Sequence, residues 1–199
     1  MKLLKQGAES KIFLDENFII KERISKSYRV KSIDDKLRKY RTRSESKILE
    51  KCKDLVNVPN VIDVNDRDMI IKMDFIDGKL LRDFINDLKE EELKKIFTQI
   101  GKEISLLHEN NIIHQDLTTS NLILLNDKVY FIDFGLSFVS DRIEDRAVDL
   151  HLLRQALDAK HFEIAEKCFD SVLEGYKENK DFKMIITRLE KVECRGRYK

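Results

Sequence analysis

Apolar and polar residues alternate over the first third of the chain, and apolar residues recur at steps of three and four over most of the rest. Residues 2–6, 11–14 and 18–22 read as strands, with turns marked by Gly7 and by Asp15-Glu16-Asn17, and they predict an antiparallel meander. A helix should follow. Asp34 is its expected cap, and Leu37, Tyr40, Ile48, Leu49, Cys52 and Leu55 share one face before Pro59 breaks it. Strands are predicted at 61–64 and 69–75, and Asp77-Gly78 makes a turn.

Beyond Gly78 the period is helical. Leu93, Ile96, Phe97, Ile100, Ile104 and Leu107 form a core stripe on a helix that ends at Asn110-Asn111. Two strands, 121–125 and 129–133, joined by Asn126-Asp127-Lys128, interrupt the helices, which resume at 148–157, 162–176 and 182–192. The expected class is α+β. Residues 1–76 form an N-terminal lobe of antiparallel sheet plus helix, and residues 77–199 a mostly helical C-terminal lobe, the two making one domain.

Composition adds limits. Cys52, Cys168 and Cys194 are odd in number and widely spaced, which fits a reducing compartment and gives no zinc signature. The four histidines also lack metal-site spacing. The N-terminus offers only Leu3 and Leu4 where a signal peptide needs a long apolar stretch, and no run approaches the roughly 18 apolar residues of a membrane span. A soluble cytoplasmic protein is expected. Its net charge is only +1, yet residues 21–43 hold ten Lys or Arg against Glu22, Asp34 and Asp35, and residues 188–199 are also basic. Such polarity points to a polyanion or an acidic partner.

The stretch "HQDLTTSNLILLNDKVYFIDFG" places Asp116, Asn121 and Asp133 at the ends of strands that are otherwise apolar. An amide and a carboxylate supply the oxygen ligands a hard cation needs, and a neighbouring carboxylate can accept a nucleophile's proton. His114, Asp116, Leu117 and Asn121, followed by Asp133, Phe134 and Gly135, match the H-x-D-L-x-x-x-N and D-F-G signatures of protein kinases. That chemistry also needs a strand lysine for the phosphates and an acid on the next helix. Lys21 and Glu45 stand in those places, with Glu50 and Glu22 as competitors of Glu45. In the turn "QGAES", Gly7, Ala8, Glu9 and Ser10 are candidates to approach phosphate through backbone N–H groups. Asp74 to Ile76 would offer backbone groups to adenine, and Met73 would line the pocket. No A-P-E follows the D-F-G, and only thirteen residues separate Gly135 from Asp149, too few for an ordinary peptide-docking activation segment.

"IKERISKSYR", "YRTRSES", "HQDLTTSN", "IDFGLSF", "EDRAVDL" and the terminal "RGRYK" together resemble the small atypical PRPK-type kinases, the kinase subunits of the KEOPS (EKC) complex. The resemblance covers essentially the whole chain. It implies a reduced two-lobed protein-kinase-like fold, ATP with Mg²⁺, and serine/threonine kinase or ATPase activity. The implied partners are the threonylcarbamoyl-transferase subunit that modifies adenosine in tRNA, the other KEOPS subunits, and tRNA through the complex. Carried over by position, Asp116 is the catalytic base, Asn121 and Asp133 hold metal, and Lys21 and Glu45 form the phosphate-side pair. Arg195 and Arg197 match the basic tail thought to lie near partner and tRNA. One departure is Gln115, where the family usually has Gly. Two alternatives stand beside this: a small-molecule, aminoglycoside-type phosphotransferase, which the D-F-G glycine and the R-G-R tail oppose, and a nucleotide-binding scaffold without turnover, which the complete polar set opposes.

Overall fold

A computed structural model describes residues 1–196, with side chains as far as Cys194. Strands β1 (Lys2–Gln6), β2 (Ser10–Asp15) and β3 (Phe18–Arg23) form the expected meander, with Lys21 paired to Ile12 across β2. Two more strands, β4 (Val61–Asn65) and β5 (Ile70–Asp74), complete a five-stranded antiparallel sheet in the order β1-β2-β3-β5-β4. β5 buries Ile71 and Met73 at alternate positions, the period of a strand with one covered face.

The helix α1 (Lys31–Cys52) connects β3 to β4. It starts before Asp34, at a Val30 cap whose carbonyl accepts from the N–H groups of Ile33 and Asp34, both at 3.0 Å. Asp34 is therefore not the cap. It lies buried in the first turn, where the helix dipole favours a carboxylate, and accepts from Arg38 Nε at 2.8 Å and Arg29 Nη1 at 3.4 Å. Ile48, Leu49 and Cys52 are buried as their spacing predicts, but Tyr40 is 69 % exposed, and Thr42 and Glu45 take the inner face instead. The cause is the sheet. β3 turns Lys21 and Arg23 toward this part of the helix, so its inner face has to be polar.

The remaining helices are α2 (Glu90–Glu109), α3 (Ile143–Lys160), α4 (Ala165–Tyr176) and α5 (Phe182–Gly196). All six apolar residues of the predicted α2 stripe are buried. α2 and α4 approach backbone to backbone through two glycines: a methyl group on Gly101 would overlap the Val172 carbonyl, and one on Gly175 the Thr98 carbonyl. Five short strands complete the fold: β6 (Lys79–Leu80), β7 (Ile112–Ile113), β8 (Leu122–Leu125), β9 (Lys128–Phe131) and β10 (Phe138–Val139). β8 and β9 are the expected hairpin, extended by β6, while β7 pairs with β10. The hairpin is shorter than predicted, because Asn121 belongs to a 3-10 turn before it and Asp133 follows it with φ of 62°. One buried apolar cluster runs from Ile48 and Met73 through Leu81 and Ile85 to Leu189. Among the described residues no helix is long and apolar enough to cross a membrane.

Candidate active site

Lys21 lies in the middle of the sheet with 5 % exposure, and its Nζ donates to Glu45 Oε1 at 2.5 Å and to Asp133 Oδ1 at 2.6 Å. Glu45 thus meets Lys21, whereas Glu50 pairs with Lys53 at 3.0 Å on the surface. Burial works against the charge on Lys21, but the two carboxylates outweigh it and hold its pKa above the ordinary value. For Asp133 burial again opposes the charge, and Lys21 outweighs it, so its pKa is held down. A methyl group on Gly135 would lie 3.1 Å from Asp133 Oδ1 and 3.5 Å from Lys21 Nζ, so the glycine leaves this pair room.

The second group is Asp116 with Asn121. Asn121 Nδ2 donates to Asp116 Oδ2 at 2.8 Å and to the Asp116 carbonyl at 2.9 Å, which closes the loop between them. The Asn121 amide oxygen and Asp116 Oδ1 stay outside this pairing. His114 joins the two groups. It is fully buried, its Nε2 donates to the Ile132 carbonyl at 3.2 Å, its Nδ1 accepts from the Asp116 N–H at 3.3 Å, and its ring packs on Phe134 with centroids 4.6 Å apart. One nitrogen donating and the other accepting is the neutral imidazole, in keeping with burial, which lowers its pKa against the pull of Asp149.

Asp149, in α3, anchors the whole loop. Its two oxygens accept from the His114 N–H at 2.8 Å and the Gln115 N–H at 2.7 Å, and Oδ2 also meets His108 Nε2 at 3.1 Å. Gln115 is held there with φ of 65°. The segment after Gly135 is also tied down: Ser137 Oγ donates to the His114 carbonyl at 2.9 Å, β10 pairs with β7, and the Ser140 N–H donates to the Asn111 carbonyl at 2.8 Å.

At the turn between β1 and β2, the Gly7 N–H donates to the Ser10 carbonyl at 2.9 Å. Glu9 accepts from Arg41 at 2.7 Å, and the Ala8 carbonyl accepts from Lys26, so the turn is fastened to α1 and to the loop before it. At the other end of the sheet Met73 is buried opposite Ile19. There the N–H groups of Asp74 and Phe75 already donate, to Asn60 and Asn17 carbonyls at 3.0 Å each, and the Ile76 carbonyl accepts from Gly78.

Arg23 was not among the expected site residues. It is 4 % exposed and donates to Glu45 Oε2. Its position two residues beyond Lys21, hence on the same strand face, is the signal that could have found it. The basic run is less bare than its composition indicates. Arg29 and Arg38 pair with Asp34, Arg38 also with Asp35, Arg41 with Glu9, and Arg43 with Asp66. Arg197 lies outside the described residues, and of Arg195 only the backbone, in α5, is described.

The protein kinase domain model matches residues 6–149. The KEOPS complex subunit Bud32 of Pyrococcus abyssi is 46 % identical over 213 aligned positions, spanning 100 % of this chain and 97 % of that protein. The chain belongs to the Bud32 family of protein kinases. The EKC/KEOPS complex subunit bud32 of Dictyostelium discoideum is 36 % identical, with 99 % of this chain and 83 % of that one covered. A probable bifunctional tRNA threonylcarbamoyladenosine biosynthesis protein of Methanobrevibacter smithii is 42 % identical over 98 % of this chain, which spans only 36 % of it. Among solved structures, a gentamicin–APH(2″)-IIa complex covers 95 % of this chain and 89 % of its own, with a TM-score of 0.57 and 17 % identity, a likeness of fold alone. As a Bud32-family protein the chain is a kinase-like phosphotransferase or ATPase with a reduced kinase fold, and a kinase domain implies ATP used with a divalent metal.

Proposed function

We propose that the chain binds ATP with Mg²⁺ between the five-stranded sheet and the 114–135 segment and acts as the kinase or ATPase subunit of a KEOPS-type assembly. The observation that carries this is Lys21, joined at once to Glu45 on α1 and to Asp133, 112 positions away. In the bound state Asp133 and the Asn121 amide oxygen would hold the cation, Lys21 would pair with phosphates, and Asp116 would take the proton of the attacking hydroxyl or water. The donors fit the ion. Among the described residues no cluster of three or more His, Cys, Asp or Glu could hold a metal by itself, and Mg²⁺ normally takes one or two protein oxygens together with phosphate and water oxygens.

The sheet also supports an orientation. Met73 and residues 74–76 lie toward the start of β3, and the 7–10 turn lies toward its end, where the Ile24 N–H donates to the Glu9 carbonyl at 3.1 Å. Adenine would sit at the first end and phosphates at the second, with Lys21 between. Because the Asp74 and Phe75 N–H groups are committed, the base would use the Ile76 N–H and the carbonyls nearby. A side chain on Gly7 would meet nothing closer than Ser10 O at 3.7 Å, so no neighbour within the chain demands glycine, and close phosphate approach accounts for it. Residues 1–76 and 77–199 would then be the two lobes of one kinase-like domain.

The names of the relatives support the assembly and its purpose, tRNA threonylcarbamoyladenosine formation; a threonylcarbamoyl-transferase chain would be the partner, and Arg195 and Arg197 would serve that partner or tRNA. A cytoplasmic setting goes with it, in accord with three unpaired cysteines. Calorimetry with ATP, with and without Mg²⁺, tests the site: Asp133→Ala should abolish the Mg²⁺-dependent part, and Asp116→Ala should keep binding while phosphate release falls by about 10²-fold or more. Unaltered turnover in Asp116→Ala would remove the base from the scheme.

A further inference from the structure

Lys21 and Arg23 occupy alternate positions of β3 and so project from the same face of the strand, toward a Glu45 that is 1 % exposed. Lys21 takes Oε1 of that carboxylate and Arg23 takes Oε2. Arg23 Nη2 also reaches the Arg41 carbonyl at 3.4 Å, while its Nε is buried without a hydrogen-bond partner. The guanidinium lies beside the Gly135 turn, since a methyl group there would be 3.4 Å from Nη2. Four charges, Lys21 and Arg23 against Glu45 and Asp133, therefore balance in one cluster.

The kinase scheme itself uses only three of them, and the fourth matters when nucleotide arrives. Asp133 then serves the metal and Lys21 turns to the phosphates, so Lys21 can no longer be the full counterion of Glu45. A buried carboxylate that loses its partner is strongly disfavoured, and without a second cation Glu45 would hold Lys21 back. An arginine is suited to that place. It stays charged at any working pH, and its terminal nitrogen Nη2 reaches a carboxylate oxygen and a carbonyl oxygen together. We propose that Arg23 is a positioning residue for phosphoryl transfer: it retains Glu45, and through Glu45 the helix α1, so that Lys21 is free to engage the nucleotide. This rests on the assignment of Lys21 and Asp133 given under Proposed function.

The test uses the full chain with Arg23→Met, Arg23→Lys and the double variant Arg23→Met/Glu45→Gln, reading KM and kcat for ATP, ATP affinity by calorimetry and Tm. Arg23→Met should raise KM for ATP about tenfold, with a smaller change in kcat, and Arg23→Lys should recover most of that rise because the charge is kept. The double variant should have a higher Tm than Arg23→Met, since no carboxylate is left half paired. Should Arg23→Met not fold, Arg23→Lys carries the test, with a KM raised about threefold at nearly unchanged Tm as support and an unchanged KM as refutation. A folded Arg23→Met with wild-type KM overturns the proposal, as does Arg23→Lys equal to Arg23→Met in both KM and Tm, which would make Arg23 a packing residue. Lys21→Met separates the two levels. If it binds ATP as well as wild type, the assignment of the site fails and takes Arg23 with it, whereas lost binding there beside a wild-type Arg23→Met refutes only the inference about Arg23.

Discussion

Gln115 and Asp133 have φ of 65° and 62°, in the left-handed region that costs a side-chain-bearing residue roughly 1–2 kcal/mol. Each is held there. The N–H of Gln115 is fixed by Asp149, and the carboxylate of Asp133 by Lys21. The backbone thereby explains why a related kinase would carry glycine at position 115. Gln115→Gly should raise the unfolding free energy by about 0.5–1 kcal/mol in a denaturant titration, because strain relief exceeds the added freedom of the unfolded chain. A loss of stability would show that the glutamine side chain contributes more than its backbone costs. The meeting of Lys21 with Glu45 and Asp133, and of Asp116 with Asn121, was legible in residue types and separations. Asp149 and Arg23 were not. Asp149 serves backbone N–H groups, a task that leaves no type-specific mark, and Arg23 was marked only by its place two residues beyond Lys21 on the same strand face.

At the scale of elements, the pairing of α2 with α4 depends on two hydrogen-sized side chains. Gly101→Ala should lower stability by about 2–3 kcal/mol, since the added methyl group meets main chain that cannot change rotamer, and Gly175→Ala should do the same; thermal unfolding of each variant is the measurement. Neither glycine is conspicuous in a helical pattern. The meander, the α2 stripe and the β8–β9 hairpin were readable because alternation, three-four spacing and turn residues agreed there. α1 was misread in part of its inner face, with Tyr40 in place of Thr42, because hydrophobic periodicity fails where polar and charged neighbours replace apolar ones. The two-residue strands β6, β7 and β10 were invisible for a simpler reason: two residues have no period.

For the molecule as a whole, the apolar join between the sheet and the helices also carries a polar connection. Asn57, on the connection from α1 to β4, donates to the Val129 carbonyl at 3.2 Å and to Glu103 Oε1 of α2 at 3.5 Å, and its own carbonyl accepts from the Phe131 N–H at 2.9 Å. Glu103 is 8 % exposed, receives Gln99 Nε2 at 2.9 Å and leaves Oε2 unpaired. Burial pushes its pKa up to about 7. A carboxyl with a raised folded pKa binds a proton in the native state that the unfolded chain releases, so its contribution to stability falls as pH rises from about 4.5 to about 7. Glu103→Gln should therefore be more stable than wild type at pH 8, by about 3 kcal/mol, with the gap closing below pH 5; chemical denaturation at the two pH values checks it.

The tied segment after Gly135 has a consequence of a different kind. Bonded at Ser137, at β10 and at Ser140 before α3 begins, it is fastened along its length, so its amide protons should exchange slowly.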